Sequence, residues 1–280
     1  MTLATAAPAD QKLDLDSHYP LTEAQIASFR TEGFIKLKNV LSPQVLAHYG
    51  REITAKVREL NTQHLPMEQR NTYQKAFLQV SNIWTKSEVV KEFVFSKRLA
   101  RLAAELMGVR GVRMYHDQAL YKEKSGGITP WHADQFYWPL GNSHTVTAWI
   151  PFQKTPMEMG PLGFAARSQN FTFGRDLAIS DQSEKLISQA LEAQKFRLVD
   201  EPFDLGEVSY HMGWTFHRAG PNTSDQAREV MTVIYMDQDM PVIEPQNPAQ
   251  KSDLAHWLPG VKPGEAPASP LNPVMWTRGS

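Results

Sequence analysis

The stretch Thr129-Pro130-Trp131-His132-Ala133-Asp134-Gln135-Phe136-Tyr137-Trp138-Pro139 holds an imidazole and a carboxylate with one residue between them. If the segment is extended, His132 and Asp134 point to the same face, because successive strand side chains alternate. Side by side they form two-thirds of a facial two-histidine, one-carboxylate site, which leaves iron positions open for chemistry. His-x-Asp alone is common by chance, and as an isolated match it reads as a surface loop. A third ligand must come from far downstream, where His211 and His217 both offer an imidazole. Arg228 then opens Arg228-Glu229-Val230-Met231-Thr232-Val233-Ile234-Tyr235, which alternates and sets Arg228, Val230, Thr232 and Ile234 on one face. Arginine is rarely buried without a partner. One that faces into a barrel wants a planar carboxylate, which its fork meets with two parallel hydrogen bonds.

The composition limits what else the chain can do. It has 280 residues, with 29 Lys plus Arg against 30 Asp plus Glu, a formal net charge of −1. That balance gives no electrostatic reason to expect nucleic acid or an anionic membrane as partner. A hydrophobic fraction of 41% supports a packed core. Cysteine is absent, which excludes disulfide scaffolds, thiolate zinc sites, iron–sulfur clusters and cysteine nucleophiles. Any metal must be held by His, Asp or Glu. No apolar run approaches the roughly 18 to 20 residues of a membrane span. The N-terminus lacks the basic and apolar regions of a secretory signal, so a cytoplasmic protein is expected.

The elements that must position these residues divide the chain. The first third reads as helical. Thr22 with Gln25 three residues on forms a capping box, and Gly33 stops the helix. Phe34–Val40 alternates like a strand. Ser42-Pro43 starts a helix to about Leu60, with proline in the first turn where its missing N–H costs little. Another helix runs from about Ser96 to Met107, closed by Gly108. Beyond Gly111, strand-like segments follow at Val112–Lys122, Thr145–Pro151, Gly206–Met212 and Arg228–Asp237, interrupted by one good helix at about Asp181–Gln194. Helices first and strands later predict an α+β, mainly β fold. Residues 1–18 are expected to be a flexible N-terminus, 19–240 a single domain, and 241–280 an irregular Pro/Gly-rich arm packed on it.

In this order, His132-x-Asp134, His217-Arg218-Ala219-Gly220-Pro221-Asn222 and Arg228 resemble the phytanoyl-CoA dioxygenase family of iron(II)/2-oxoglutarate oxygenases. Val146-Thr147-Ala148-Trp149-Ile150-Pro151 is similar to that family's strand after the His-x-Asp turn. Gly160-Pro161-Leu162-Gly163-Phe164 is similar to its Asn-Gly-Pro-Leu segment. The resemblance covers roughly Thr22 to Asp237. It implies a double-stranded β-helix, or jelly-roll, core flanked by N-terminal helices. It implies iron(II) held by His132, Asp134 and His217, since only His217 stands in the His-x-x-Gly context. It implies 2-oxoglutarate as cosubstrate with its C5 carboxylate on Arg228, and O₂ as oxidant. By position, Trp149, Gln118 and Gln79 line the cosubstrate pocket. The family often has Ser two residues after the distal His, where this chain has Ala219, so that hydrogen bond must come from elsewhere.

The activity implied is oxidation of a C–H bond, foremost hydroxylation, of a small organic metabolite, with 2-oxoglutarate and O₂ converted to succinate and CO₂. The same site could instead desaturate, cyclise, epimerise or form an endoperoxide in natural-product biosynthesis. Phe136, Tyr137, Trp138, His116 and Arg218 are candidates for the substrate pocket. Tyr121 and Lys122 are candidates for contact with cosubstrate or substrate, with a solvated strand end as the other reading of Lys122, and His256 and Trp257 read as packing in the tail. A ligand-binding jelly roll without redox chemistry is the alternative from another class. It would have to keep a carboxylate, two imidazoles and a guanidinium buried without their ligands, which is costly.

Overall fold

Thr22 and Gln25 cap each other's backbone as expected, and helix α1 runs Glu23–Glu32 until Gly33 turns left-handed at φ 83°. A side chain at Gly33 would collide with Gln169 and Thr215, so the residue permits both the turn and a close approach. The computed structural model describes residues 13–279. After α1 come β1 (Phe34–Leu37), α2 (Pro43–Leu60), α3 (Thr72–Ala76), β2 (Leu78–Ser81), α4 (Glu88–Val94) and α5 (Lys97–Met107). Then follow β3 (Gly111–Tyr121), β4 (Thr129–His132), β5 (Thr145–Pro151), β6 (Leu162–Ala165), α6 (Asp181–Ala193) and β7 (Leu198–Asp200). The chain ends with β8 (Val208–Met212), β9 (His217–Ala219), β10 (Val230–Asp237), α7 (Pro248–Trp257) and β11 (Val274–Thr277).

The strands form two antiparallel sheets, the mainly β jelly-roll arrangement, without a closed barrel. The larger has the order β1-β8-β5-β10-β3-β11, with β2 also paired to β3, and the smaller has the order β4-β9-β6-β7. Alternation along β10 decides its two faces. Met231, Val233 and Tyr235 enter the main core with Leu46, Ile53, Leu99 and Leu102 of α2 and α5. Each such buried side chain stabilises by about 1.5–3 kcal/mol. Arg228, Thr232 and Ile234 face the other way, into a cavity. The helices thus plaster one face of the larger sheet and leave the other for chemistry.

Two expectations change. The strand expected to reach Val40 ends at Leu37, because Asn39 adopts a left-handed φ of 55°. The C-terminal arm is not irregular: it contains α7 and β11, and β11 extends the larger sheet beside β3. Of the N-terminal residues expected to be flexible, 13–18 make contacts with the domain. There the Leu15 carbonyl accepts from the Ser96 hydroxyl at 2.6 Å, and Asp14 pairs with Arg98. Residues 1–12 lie outside the described part.

Candidate active site

His132 closes β4 and His217 opens β9, and the two are paired directly across the strands. Ala133 is extended, and Asp134 then begins a short 3₁₀ turn to Tyr137. His132 and Asp134 therefore meet through a strand end and a turn, not along one strand. His132 Nε2 and His217 Nε2 lie 3.5 and 3.6 Å from Asp134 Oδ1. Each histidine uses its other nitrogen on the backbone: His132 Nδ1 is 2.7 Å from the Pro130 carbonyl, and His217 Nδ1 is 2.9 Å from that of Thr215. A carbonyl can only accept, so each Nδ1 carries the proton and each Nε2 presents a lone pair. The three candidate ligand atoms lie within 4.8 Å of one another.

His211 has a different place. Its Nε2 is 3.3 Å from Asp134 Oδ2, to which the Thr147 hydroxyl also donates at 2.9 Å. Thr147 and His211 face each other across β5 and β8. One carboxylate oxygen is thus held by two side chains of the larger sheet, and the other is turned to the histidines of the smaller one. Burial alone would raise the Asp134 carboxyl, but His217, His132 and His211 outweigh it and hold the group well below the usual range. Burial, reinforced by His132, keeps the His217 ring well below its ordinary value. This is a donor set suited to a divalent metal: two imidazoles, one carboxylate, and outer partners that fix their orientation.

Below this cluster lies a cavity of about 240 Å³. One buried guanidinium, that of Arg228, lines it. Arg228 is buried, with Nη1 donating to the Gly160 carbonyl, Nε lacking a partner, and the Trp149 ring centroid 5.3 Å from its guanidinium. Lys122 is fully buried, not solvated, and donates to the Gly127 carbonyl and to Thr129. Its backbone bridges to that of Arg228. Among the described residues neither Arg228 nor Lys122 has a carboxylate in salt-bridge range. Gln118, Gln79 and Trp149 all line the cavity, with the Gln79 amide donating to Gln118. Thr129, paired across the register from Ala219, also lines it.

Tyr137, Trp138 and His116 line the cavity too, but Phe136 and Arg218 do not. Phe136 packs edge-on against Tyr137, and its carbonyl accepts from Asn247 and Gln250, which ties down α7. Arg218 is drawn outward by Asp200, at 3.2 Å, and lies over Trp131. Asp253 and Trp257 of α7, and Tyr73 of α3, were not among the candidates and do line the cavity. Thr147 was also missed, although its parity with Trp149 on an alternating strand signalled an inward position.

This arrangement agrees with known proteins: the chain is an iron(II)/2-oxoglutarate-dependent oxygenase. More narrowly, it belongs to the phytanoyl-CoA dioxygenase (PhyH) family, whose profile matches residues 29–230. It is 22% identical over 233 residues, 77% of this chain and 78% of the relative, to a probable alpha-ketoglutarate-dependent hypophosphite dioxygenase of Stutzerimonas stutzeri. Its fold resembles the non-heme alpha-ketoglutarate-dependent carbocyclase SnoK from nogalamycin biosynthesis. The TM-score is 0.73 at 23% identity, covering 91% of this chain and 96% of SnoK. It also resembles the epimerase SnoN in complex with Fe³⁺, alpha-ketoglutarate and nogalamycin RO. There the TM-score is 0.71 at 22% identity, covering 91% and 98% of the two chains.

Proposed function

We propose that His132, Asp134 and His217 hold the iron, that Arg228 receives the distal carboxylate of 2-oxoglutarate, and that the enzyme hydroxylates a small organic molecule. The convergence of two imidazole Nε2 atoms on Asp134 Oδ1, with both Nδ1 protons fixed on carbonyls, carries the reading. Bound there, iron(II) would supply O₂ activation coupled to decarboxylation of the cosubstrate. The balanced reaction consumes 2-oxoglutarate, O₂ and R–H and yields succinate, CO₂ and R–OH. Thr147 and His211 fix the carboxylate rotamer, so Oδ1 stays turned to the imidazoles. The buried Arg228 guanidinium offers an anion site in the cavity. Thr129 supplies the hydroxyl that Ala219 does not. The aromatic walls exclude water and orient the substrate.

Anaerobic titration with iron(II) and then 2-oxoglutarate tests the assignment. A weak visible charge-transfer band should appear in the wild type and be lost in His132→Ala, together with substrate-dependent succinate. A His132→Ala protein with full activity refutes it. Product mass separates outcomes at the same site: a gain of one oxygen marks hydroxylation, and a loss of two hydrogens marks desaturation or cyclisation. An unchanged mass with inverted configuration marks epimerisation.

A further inference from the structure

The cavity mouth carries an acid that the reading above leaves unused. Asp253, on α7, lines the cavity together with Tyr73, Tyr137, His116 and Trp257. The Tyr115 hydroxyl donates to its Oδ2 at 3.0 Å. Tyr115, His256 and Trp257 favour the charged carboxylate, and no lysine or arginine among the described residues pairs with it. Burial outweighs these groups and pushes the carboxyl up to about 7. A half-buried acid held by a hydroxyl and the neighbouring Trp257 indole, with no cation beside it, is poorly compensated. Tyr73 and Tyr137 feel the charges of both Asp134 and Asp253, so their rings lie within electrostatic reach of the metal-side acid and of the acid at the mouth. The Trp257 ring packs at a 41° tilt against His116, with centroids 4.8 Å apart. A carboxylate among aromatic faces is the chemistry that recognises an ammonium group.

We propose that the substrate carries a cationic amine, received by Asp253 at the cavity mouth with the rings of Tyr73, Tyr137 and Trp257 against its apolar flanks. The inference rests on the oxygenase reading for the reaction, but not for the binding. It also gives the C-terminal segment a role, because α7 brings the recognition group. The alternative is that Asp253 only docks α7 by accepting from Tyr115. That role requires the Tyr115 hydroxyl, whereas amine recognition does not.

The test compares tryptamine, a cation at pH 8, with tryptophol, its neutral hydroxyl counterpart. Both are titrated calorimetrically into the full chain loaded anaerobically with iron(II) and 2-oxoglutarate, and again into the metal-free chain. Tryptamine should bind about tenfold more tightly, the ratio given by about 1.4 kcal/mol of charge pairing. Asp253→Asn should bring the two affinities within about twofold of each other, chiefly by weakening tryptamine. Asp253→Glu and Tyr115→Phe should keep the preference. Equal affinities in the wild type, no saturable tryptamine binding, or a preference that survives Asp253→Asn overturns the proposal. So does a preference lost in Tyr115→Phe, which identifies a docking role. A wild-type protein without the band that still prefers tryptamine sinks the oxygenase reading and leaves this one standing.

Discussion

Replacing Arg228 with leucine should move two measurements in opposite directions. The guanidinium is 2% exposed, has an orphaned Nε, and sits beside the buried Lys122. Burial lowers Arg228 from its ordinary value to about 9. At about 1.36 kcal/mol per pK unit, keeping it charged at neutral pH costs on the order of 5 kcal/mol. Leucine removes that cost and forfeits the hydrogen bond to Gly160, worth about 1–3 kcal/mol. The metal-free, cosubstrate-free protein should therefore melt a few degrees higher. Removing one partner of a buried charged pair costs about 2–5 kcal/mol of affinity. The dissociation constant for 2-oxoglutarate should thus rise by roughly 30-fold to several thousand-fold. Scanning fluorimetry of the apo protein, with anaerobic calorimetry for the cosubstrate, reads both numbers. An apo protein that melts lower together with unchanged 2-oxoglutarate affinity would refute the argument, since Arg228 would then be a structural cation with no ligand to meet.

Burial, and then Arg228, push Lys122 down to about 6. Between that value and its ordinary 10.5 the unfolded chain binds the extra proton, so stability rises with pH across this window. Lys122→Met should flatten that part of the slope and help most at the acidic end, as read by urea unfolding at several pH values. Thr147→Val removes the hydroxyl that steadies Asp134 Oδ2 and should weaken iron binding by about 10- to 100-fold with little loss of stability, measured by competition with a chelator. Gly160→Ala puts a Cβ 2.2 Å from the Gly220 carbonyl at a residue with φ of 65°. It should destabilise the fold by about 1–3 kcal/mol and weaken 2-oxoglutarate binding by shifting the carbonyl that holds Arg228, as denaturant titration and calorimetry would show.

Parts of this molecule are legible in the sequence because the signals are local. The Thr22–Gln25 box and Gly33 bracket α1, and the alternation of β5 and β10 sorts Trp149, Thr232 and Ile234 inward. The candidate metal cluster is legible through residue type and order. What is not legible depends on neighbours that no local pattern names. Lys122 looks like a solvated strand end until its backbone bridges to Arg228. Arg218 follows a candidate ligand, but Asp200 on the neighbouring strand sets its direction. Helix α7 was concealed by the proline-rich surroundings, although Asn247 caps it and Pro248 occupies its first turn, a recognisable start signal. The short edge strands β2 and β11 have partners far away in sequence, so only the assembled sheet defines them.

The direct pairing of His132 with His217 makes the proposed metal site a property of strand register. Because side chains alternate, a slip of one residue on either strand turns one imidazole to the opposite surface. A chain that closes this small sheet wrongly therefore has no weakened site; it has none. Metal uptake samples only correctly registered molecules and, by mass action, draws the population toward them. Iron supply during synthesis would then act on the yield of folded enzyme as well as on its activity, with the cofactor serving as a proofreader of the sheet that holds it.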